Sequence, residues 1–309
     1  MKKLVIDIET VGLPWEELDP YVREYLIKGL SDGDAEETRR AGGLSPFRGR
    51  IIAIGVINIE DGRSCAMYEV PGQTQLSIEK AGQRTYISGS EKQILEKFWE
   101  FFDSDARFIT FNGRQFDGPF LMIRSAINGL TPKRDLVGYR YGFHPNCDLR
   151  EALNFFGTTN ARQFKFNLDL ACKVFGVETS KGEGLDGRSV ETWYRAGRHR
   201  EIADYCLDDV RATAELYEKV ASSLLMFNKE FREAEERAMR FRRQSELPLS
   251  PPLSSETLFM ESVTQTSIAL SESLDAPEPV PVVTGTHQAV VLEKLVRPAE
   301  EEEEIPSGV

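Results

Sequence analysis

Four acidic side chains sit in three well-separated segments whose local patterns could assemble a site for hard metal ions: Asp7 and Glu9 in LVIDIET, Asp117 in FNGRQFDGPF, and Asp209 in IADYCLDDV. Carboxylates without a histidine or cysteine cluster suit Mg²⁺ or Mn²⁺, which prefer hard oxygen donors, and argue against zinc. Phosphodiester hydrolysis is the reaction such ions serve. Two divalent cations about 4 Å apart make a nucleophile from water at neutral pH and offset charge on both the attacking and the leaving oxygen.

Each segment implies an element that must hold its acid. Lys3 to Ile6 read as a buried strand running into Asp7. Strand side chains alternate, so Asp7 and Glu9 share one face while Ile6 and Ile8 take the other, and the two carboxylates can converge on one cation. A lone D-x-E triplet is also what a polar strand end facing solvent looks like. In the second segment Phe108 to Phe111 form a strand-like run that stops at the turn signal Asn112-Gly113, and Phe116-Asp117 precede Pro119 and the helical FLMIRSAING. Asp117 there is either a helix N-cap or an acid at the mouth of a cleft beside a strand end. In the third, Ile202, Tyr205, Cys206, Val210, Thr213, Leu216, Tyr217 and Val220 recur at spacings of three and four, the stripe of an amphipathic helix, with Asp204, Asp208, Arg211 and Glu215 turned away. Asp209 falls in or beside that stripe, where an acid is costly unless paired or metal-bound, and Tyr205 lies one turn earlier on the same face. A salt-bridged surface aspartate would have the same spacing.

Together the three segments resemble the DEDD superfamily of 3′-5′ exonucleases, built on the ribonuclease H-like fold, whose motifs run D-x-E, then Phe/Tyr-Asp after an Asn, then Tyr-x-x-x-Asp. Thr10 and Leu13 follow Asp7-Ile8-Glu9 as in D-x-E-T-x-x-L, and Asn112 stands five residues before Asp117. Within the superfamily the chain is most similar to predicted exonucleases related to the proofreading domain of family B DNA polymerases, through RIIAIGVI (Arg50 to Ile57), Asp148-Leu149, and Gly187 to Val190 leading to IADYC. The resemblance covers roughly residues 3 to 222. A related branch carries His five residues before the last Asp; that position is Asp204 here, and Tyr205 places the chain in the tyrosine branch. Of the histidines, His144 could lie near the site but suits a structural role better.

The resemblance implies roles. Asp7 would bridge two divalent cations, Glu9 and Asp209 would complete the site of the attacking water, and Asp117 would hold the second ion largely through water. Tyr205 would orient the nucleophilic water, since a phenol with a reference pKa of about 10 is a poor base. Thr10 and Leu13 would contact the terminal nucleotide, Leu13 against the base, with Asn112 a candidate for a substrate or scaffolding hydrogen bond. The implied fold is α/β, a mixed central sheet flanked by helices. Its substrate is nucleic acid with a single-stranded 3′ end, DNA before RNA. An RNA-directed exonuclease on the same site, and a nonenzymatic adaptor for nucleic acid or a replication partner, are the competing readings.

The remaining sequence bounds the architecture. Residues 1–245 are the expected catalytic domain, with an insertion at 14–49 containing a helical piece from Glu16 to Ile27 and a Gly-, Asp- and Glu-rich stretch from Ser31 to Gly43. Residues 246–309 are Pro-, Ser- and Glu-biased and are expected to be mostly disordered, with Thr286 to Val296 as an apolar run that could engage a protein partner. Residues 245–309 carry 12 acids and 2 bases, which leaves only −2 of the total charge of −12 for residues 1–244. A nearly neutral domain does not exclude a polyanionic substrate. Asp61-Gly62 signals a hairpin, Ser90 with Gln93 a capping box, and Lys181 to Gly184 a turn that lacks phosphate-loop spacing. Arginines and glutamates interleave on a final helix after Lys229, a pattern expected of a solvated face. Four scattered cysteines without a C-x-x-C pair, no apolar membrane span, and a strand that starts at Lys3 with no room for a signal peptide point to a cytoplasmic protein.

Overall fold

β-branched runs alternating with amphipathic stretches build a sheet covered by helices on both faces. The computed structural model describes residues 2–40, 42–101, 106–158, 165–179 and 187–245. The expected tail and the Lys181 to Gly184 turn lie outside them. The strands are β1 (Lys3–Gly12), β2 (Gly49–Asn58), β3 (Ser64–Glu69), β4 (Ser77–Ala81), β5 (Arg84–Gly89), β6 (Arg107–Thr110) and β7 (Asn146–Asp148). They form one mixed sheet of 7 strands in the order β4-β5-β3-β2-β1-β6-β7. β1 pairs antiparallel with β2 and parallel with β6, which puts the chain leaving β6 beside the middle of β1. The helices are α1 (Pro20–Ile27), α2 (Asp32–Arg40), α3 (Glu91–Glu100), α4 (Asp117–Ile127), α5 (Leu149–Leu153), α6 (Leu168–Val174), α7 (Gly187–Arg195), α8 (His199–Ser223) and α9 (Lys229–Ser245).

The parity of β1 decides which core each residue joins. Leu4, Ile6 and Ile8 pack with Ile94, Leu95 and Phe98 of α3 and with Phe120 and Leu121 of α4. Val5 faces the other way, against Val210, Leu216 and Val220 of α8. Asp7 and Glu9 share the parity of Val5 and so lie on the α8 side, as the strand alternation predicts. The α8 stripe is also as expected, with Ile202, Tyr205, Cys206, Val210, Thr213, Leu216, Tyr217 and Val220 buried. Ser90 and Gln93 make the expected reciprocal capping box on α3, and Gly62, at φ 68°, turns the β2–β3 hairpin. Among the described residues no helix is long and apolar enough to cross a membrane.

The structure departs from the sequence reading at several elements. The Glu16 to Ile27 piece is broken: Trp15–Glu17 form a single 3-10 turn, and α1 starts at Pro20 with the Asp19 carboxylate accepting the Tyr21 N–H at 2.8 Å. The stretch after Ser31 is helical over α2, where the Ser31 hydroxyl accepts the Asp34 N–H at 3.3 Å and Asp32 and Asp34 sit at the positive helix end. The β4–β5 hairpin has no counterpart in the sequence reading, because every residue of β4 is exposed and no apolar alternation marks it. On α9 the solvated-face expectation fails at Glu235, which is buried and pairs with Arg107 at 2.5 Å and Lys3 at 2.6 Å. Arg107 is fully buried on β6 and its guanidinium lies over the Phe231 ring, so α9 closes the lower side of the sheet through a charge that needs a partner.

Candidate active site

The strand expected to run from Lys3 into Asp7 continues to Gly12, so the acids meet in the middle of β1, just beyond Val5 where its pairing with β6 stops. β1 carries Asp7 and Glu9, and a bulge between Glu9 and Thr10 re-aims the strand just past them. α8 brings Asp209 onto the same side, and carboxylate oxygens of Asp7, Glu9 and Asp209 all lie within 4.8 Å of one another. α8 can approach so closely because Gly55 of β2, paired directly with Asp7, has no side chain. A Cβ there would stand 2.7 Å from Val210 Cγ2, 3.0 Å from Cys206 Sγ and 3.1 Å from the Cys206 carbonyl. Glycine within a strand marks such a close approach, so RIIAIGVI contained a signal that the sequence reading did not use.

Asp117 arrives from the opposite helical layer. It is the first residue of α4 rather than its cap: the N-cap position is Phe116, which offers no side-chain cap. The carboxylate instead reaches across to β1, where Oδ1 accepts the Ile8 N–H at 3.1 Å, so it stands beside the strand between Asp7 and Glu9. Burial pushes its carboxyl up to about 7, reinforced by the nearby negative charge of Asp148 and opposed by its own backbone and the Ile8 N–H. Asp117 is not within the tight group of Asp7, Glu9 and Asp209.

Tyr205 stands one turn before Asp209 on α8, nearly buried, edge-on to Trp193 at 6.3 Å and hydrogen-bonded to the Asp209 carboxylate. Burial first, and then the charges of Asp209, Glu9 and Asp7, raise the phenol well above its ordinary value. A phenol so placed stays neutral and serves as a hydrogen-bond donor rather than a base. Behind the acids lies Cys206, whose thiol donates to the Asp7 carbonyl at 3.4 Å. Burial and the surrounding carboxylates raise this thiol well above its usual value, so it is protonated and no ligand. The tight set of donors is therefore the carboxylates of Asp7, Glu9 and Asp209, with Asp117 bonded to the strand beside it, and oxygen donors of this kind fit hard divalent cations.

The other sequence candidates divide. The Thr10 hydroxyl donates to the Gly43 carbonyl at 2.7 Å, tying β1 to the far end of the 14–49 insertion. Leu13 is half-buried and lines a cavity of about 680 Å³ with Trp15, Thr192, Tyr194 and Arg195, just beyond Glu9 on the chain. Asn112 is a scaffold residue: at φ 70° it makes the left-handed turn after β6, and its Oδ1 accepts from Arg150 at 2.6 Å. His144 sits on an exposed loop next to Arg134, at 3.0 Å.

Asp148 has a larger part than its mention in the sequence suggested. Buried at the end of β7, it accepts the N–H groups of Asn112 at 2.9 Å, Arg114 at 3.0 Å, Arg150 at 2.9 Å and Glu151 at 3.2 Å. It thereby fixes the turn that delivers Asp117.

Residues 47–246, more than half of the chain, match the family described as predicted 3′-5′ exonuclease related to the exonuclease domain of PolB. The matched span contains Asp117, Tyr205 and Asp209 and begins after Asp7 and Glu9. Among solved structures, the family B DNA polymerase from the hyperthermophilic archaeon Pyrobaculum calidifontis is similar, with 21% identity and a TM-score of 0.47. That similarity covers 75% of this chain and only 27% of the polymerase chain. No curated protein matches this chain.

Proposed function

The chain belongs to the predicted 3′-5′ exonucleases related to the exonuclease domain of PolB, and from that premise we propose that it removes mononucleotides from single-stranded 3′ ends, DNA before RNA, using two divalent cations, Mg²⁺ or Mn²⁺. The observation that carries this reading is the convergence of Asp7, Glu9 and Asp209 within 4.8 Å, with Asp117 at the start of α4 bonded to Ile8 between the two acids of β1. Exonuclease domains of this kind use divalent metals. Bound there, the cations supply charge to the attacking and leaving oxygens and acidify water. Asp7, Glu9, Asp117 and Asp209 would hold them, Asp7 shared between the two.

The protein's own contribution is positioning. Tyr205, neutral and hydrogen-bonded to Asp209, orients the attacking water. The cavity at Leu13 and Trp15 has the size and the mixed lining to take the terminal nucleoside, with Leu13 against the base. Thr10 ties β1 to Gly43, next to Gly42 of the cavity lining, and Asn112 acts by shaping the turn ahead of Asp117. All four cysteines are buried and none is in a disulfide, which fits a reducing cytoplasm.

The test is degradation of 5′-labelled single-stranded DNA and RNA by the purified full chain with Mg²⁺, Mn²⁺ or EDTA. A ladder shortening from the 3′ end, abolished by EDTA, is expected. Sustained cleavage in EDTA, or cuts in a circular single strand, would refute the mechanism.

A further inference from the structure

Away from the carboxylates, the loop between α4 and β7 exposes two large aromatic rings. Tyr139 is 69% and Tyr141 51% exposed. Their rings lie 5.7 Å apart in an edge contact at 68°, and Tyr141 meets Phe156 edge-on at 5.9 Å. Phe156 in turn rests on buried Phe143 at 5.3 Å. None of these contacts is a parallel stack, so the rings stand on a buried aromatic foot while keeping surface open to solvent.

The loop beneath them is held rigidly. Arg114, itself buried, donates to the carbonyls of Val137, of Tyr139 at 2.7 Å, of Gly142 at 2.8 Å and of Asn146 at 2.8 Å, and its Nε pairs with Glu151 at 2.7 Å. The backbone beside Phe156 carries a cost: Phe155 and Phe156 both adopt left-handed conformations, at φ 52° and 55°, which bulky side chains avoid and which cluster at binding sites.

Charge and position identify the occupant. From Thr131 to His144 the loop carries Lys133, Arg134 and Arg140 against Asp135 alone, in a domain whose net charge is nearly zero. The Arg140 guanidinium lies 5.9 Å from the Tyr141 ring centre. Arg114 belongs to the turn that leads into Asp117, and the Leu136 carbonyl abuts Gly118, where a Cβ would stand 3.0 Å from it. The loop is thus bound to the segment that delivers one of the proposed metal ligands.

We propose that Tyr139 and Tyr141, with Arg140 between them, form a stacking platform for the bases upstream of the 3′-terminal nucleotide of a single-stranded nucleic acid. Aromatic faces combined with basic groups bind single strands with little sequence preference, because every base has a π-face. This inference rests on the exonuclease reading and extends it from the scissile nucleotide to the strand behind it.

The test is fluorescence anisotropy of labelled dT12 and rU12 with the full-length chain in EDTA, where no turnover occurs. Replacing both tyrosines by alanine should raise Kd by about tenfold or more on whichever oligonucleotide binds. Replacing both by phenylalanine should leave Kd within about twofold, because stacking needs the ring and not the hydroxyl. An abasic strand of the same length should bind the native chain as weakly as the alanine variant binds dT12. Alanine variants that bind as well as the native chain, an abasic strand that binds as well as dT12, or no binding of either oligonucleotide would each overturn the platform. Hydrolysis by the native chain with Mn²⁺ separates the two readings. Cleavage with Kd unmoved by the alanine pair defeats the platform alone, whereas base-dependent binding without cleavage defeats the exonuclease reading and leaves the platform standing.

Discussion

Replacing Asp117 with asparagine should stabilise the metal-free protein at alkaline pH while crippling hydrolysis. Asn keeps the shape and the oxygen that accepts the Ile8 N–H, but it carries no charge into a fully buried position. Burial raises this carboxyl from 3.8 to about 7, and at about 1.4 kcal/mol per unit the charged form costs about 4 kcal/mol at most. Because the folded value is the higher one, the favourable contribution is fully present below pH ~4 and is lost progressively as pH rises through 7. Asp117→Asn should therefore melt like the native chain at pH ~4 and about 10 °C above it at pH 8.5, at roughly 2–4 °C per kcal/mol for a domain of this size. The assay is thermal unfolding followed by circular dichroism in EDTA across that range. Mn²⁺ should then raise the native melting temperature more at pH 8.5 than at pH 5.5, since cation binding offsets the buried charge. Equal melting temperatures of the two proteins at pH 8.5, or a difference independent of pH, would refute the assignment of that burial cost to Asp117.

Other substitutions probe the rest of the framework. Tyr205→Phe should retain metal affinity by calorimetry and lose about 10²-fold in kcat, and the native pH–rate profile should show no limb from phenol ionisation below pH ~10. Gly55→Ala drives a methyl group to 3.1 Å from the Cys206 carbonyl, which cannot rotate away; denaturant melts should show about 1–3 kcal/mol lost, with lowered activity as α8 shifts from β1. Glu235→Ala leaves buried Arg107 without its carboxylate and should cost about 3–5 kcal/mol in the same melts. A chain ending at Ser245 should stay folded and hydrolyse single strands at least as well at low salt, because it sheds a net charge of −10 between residues 245 and 309; loss of activity there would place the tail in the substrate path.

Features set by local rules were legible in the sequence. The alternation of Ile6 and Ile8 against Asp7 and Glu9, the α8 stripe, the Ser90–Gln93 box and the Asp61-Gly62 hairpin each follow from a repeat or a cap within a few residues. Where the reading failed, the deciding partner was distant in the chain or the pattern was absent. Glu235 looks solvated until its partner Arg107 is placed 128 residues away. β4 has no buried face to write an alternation into its sequence. Asp117 could equally have been a cap, because the choice depends on the parallel register of β6 with β1, which no local pattern encodes.

The same distinction explains how the candidate site is held. Its acids come from elements that belong to two different cores: β1 and α8 meet through Val5 and Val210, while α4 packs with Ile6 and Ile8 on the other face. Beyond Val5 the β6 side of β1 has no paired strand, and Asp117 crosses there by accepting the backbone N–H of Ile8, between the two acids of β1. Asp148 and Arg114 fix the turn behind it mainly through backbone groups, with the Arg114–Glu151 pair the side-chain exception. In the metal-free protein burial, reinforced by the nearby charge of Asp148, puts an electrostatic strain on Asp117, whose carboxyl resists ionisation until about pH 7. Cation binding should release that strain, which makes metal affinity and stability two readings of the same electrostatic cost.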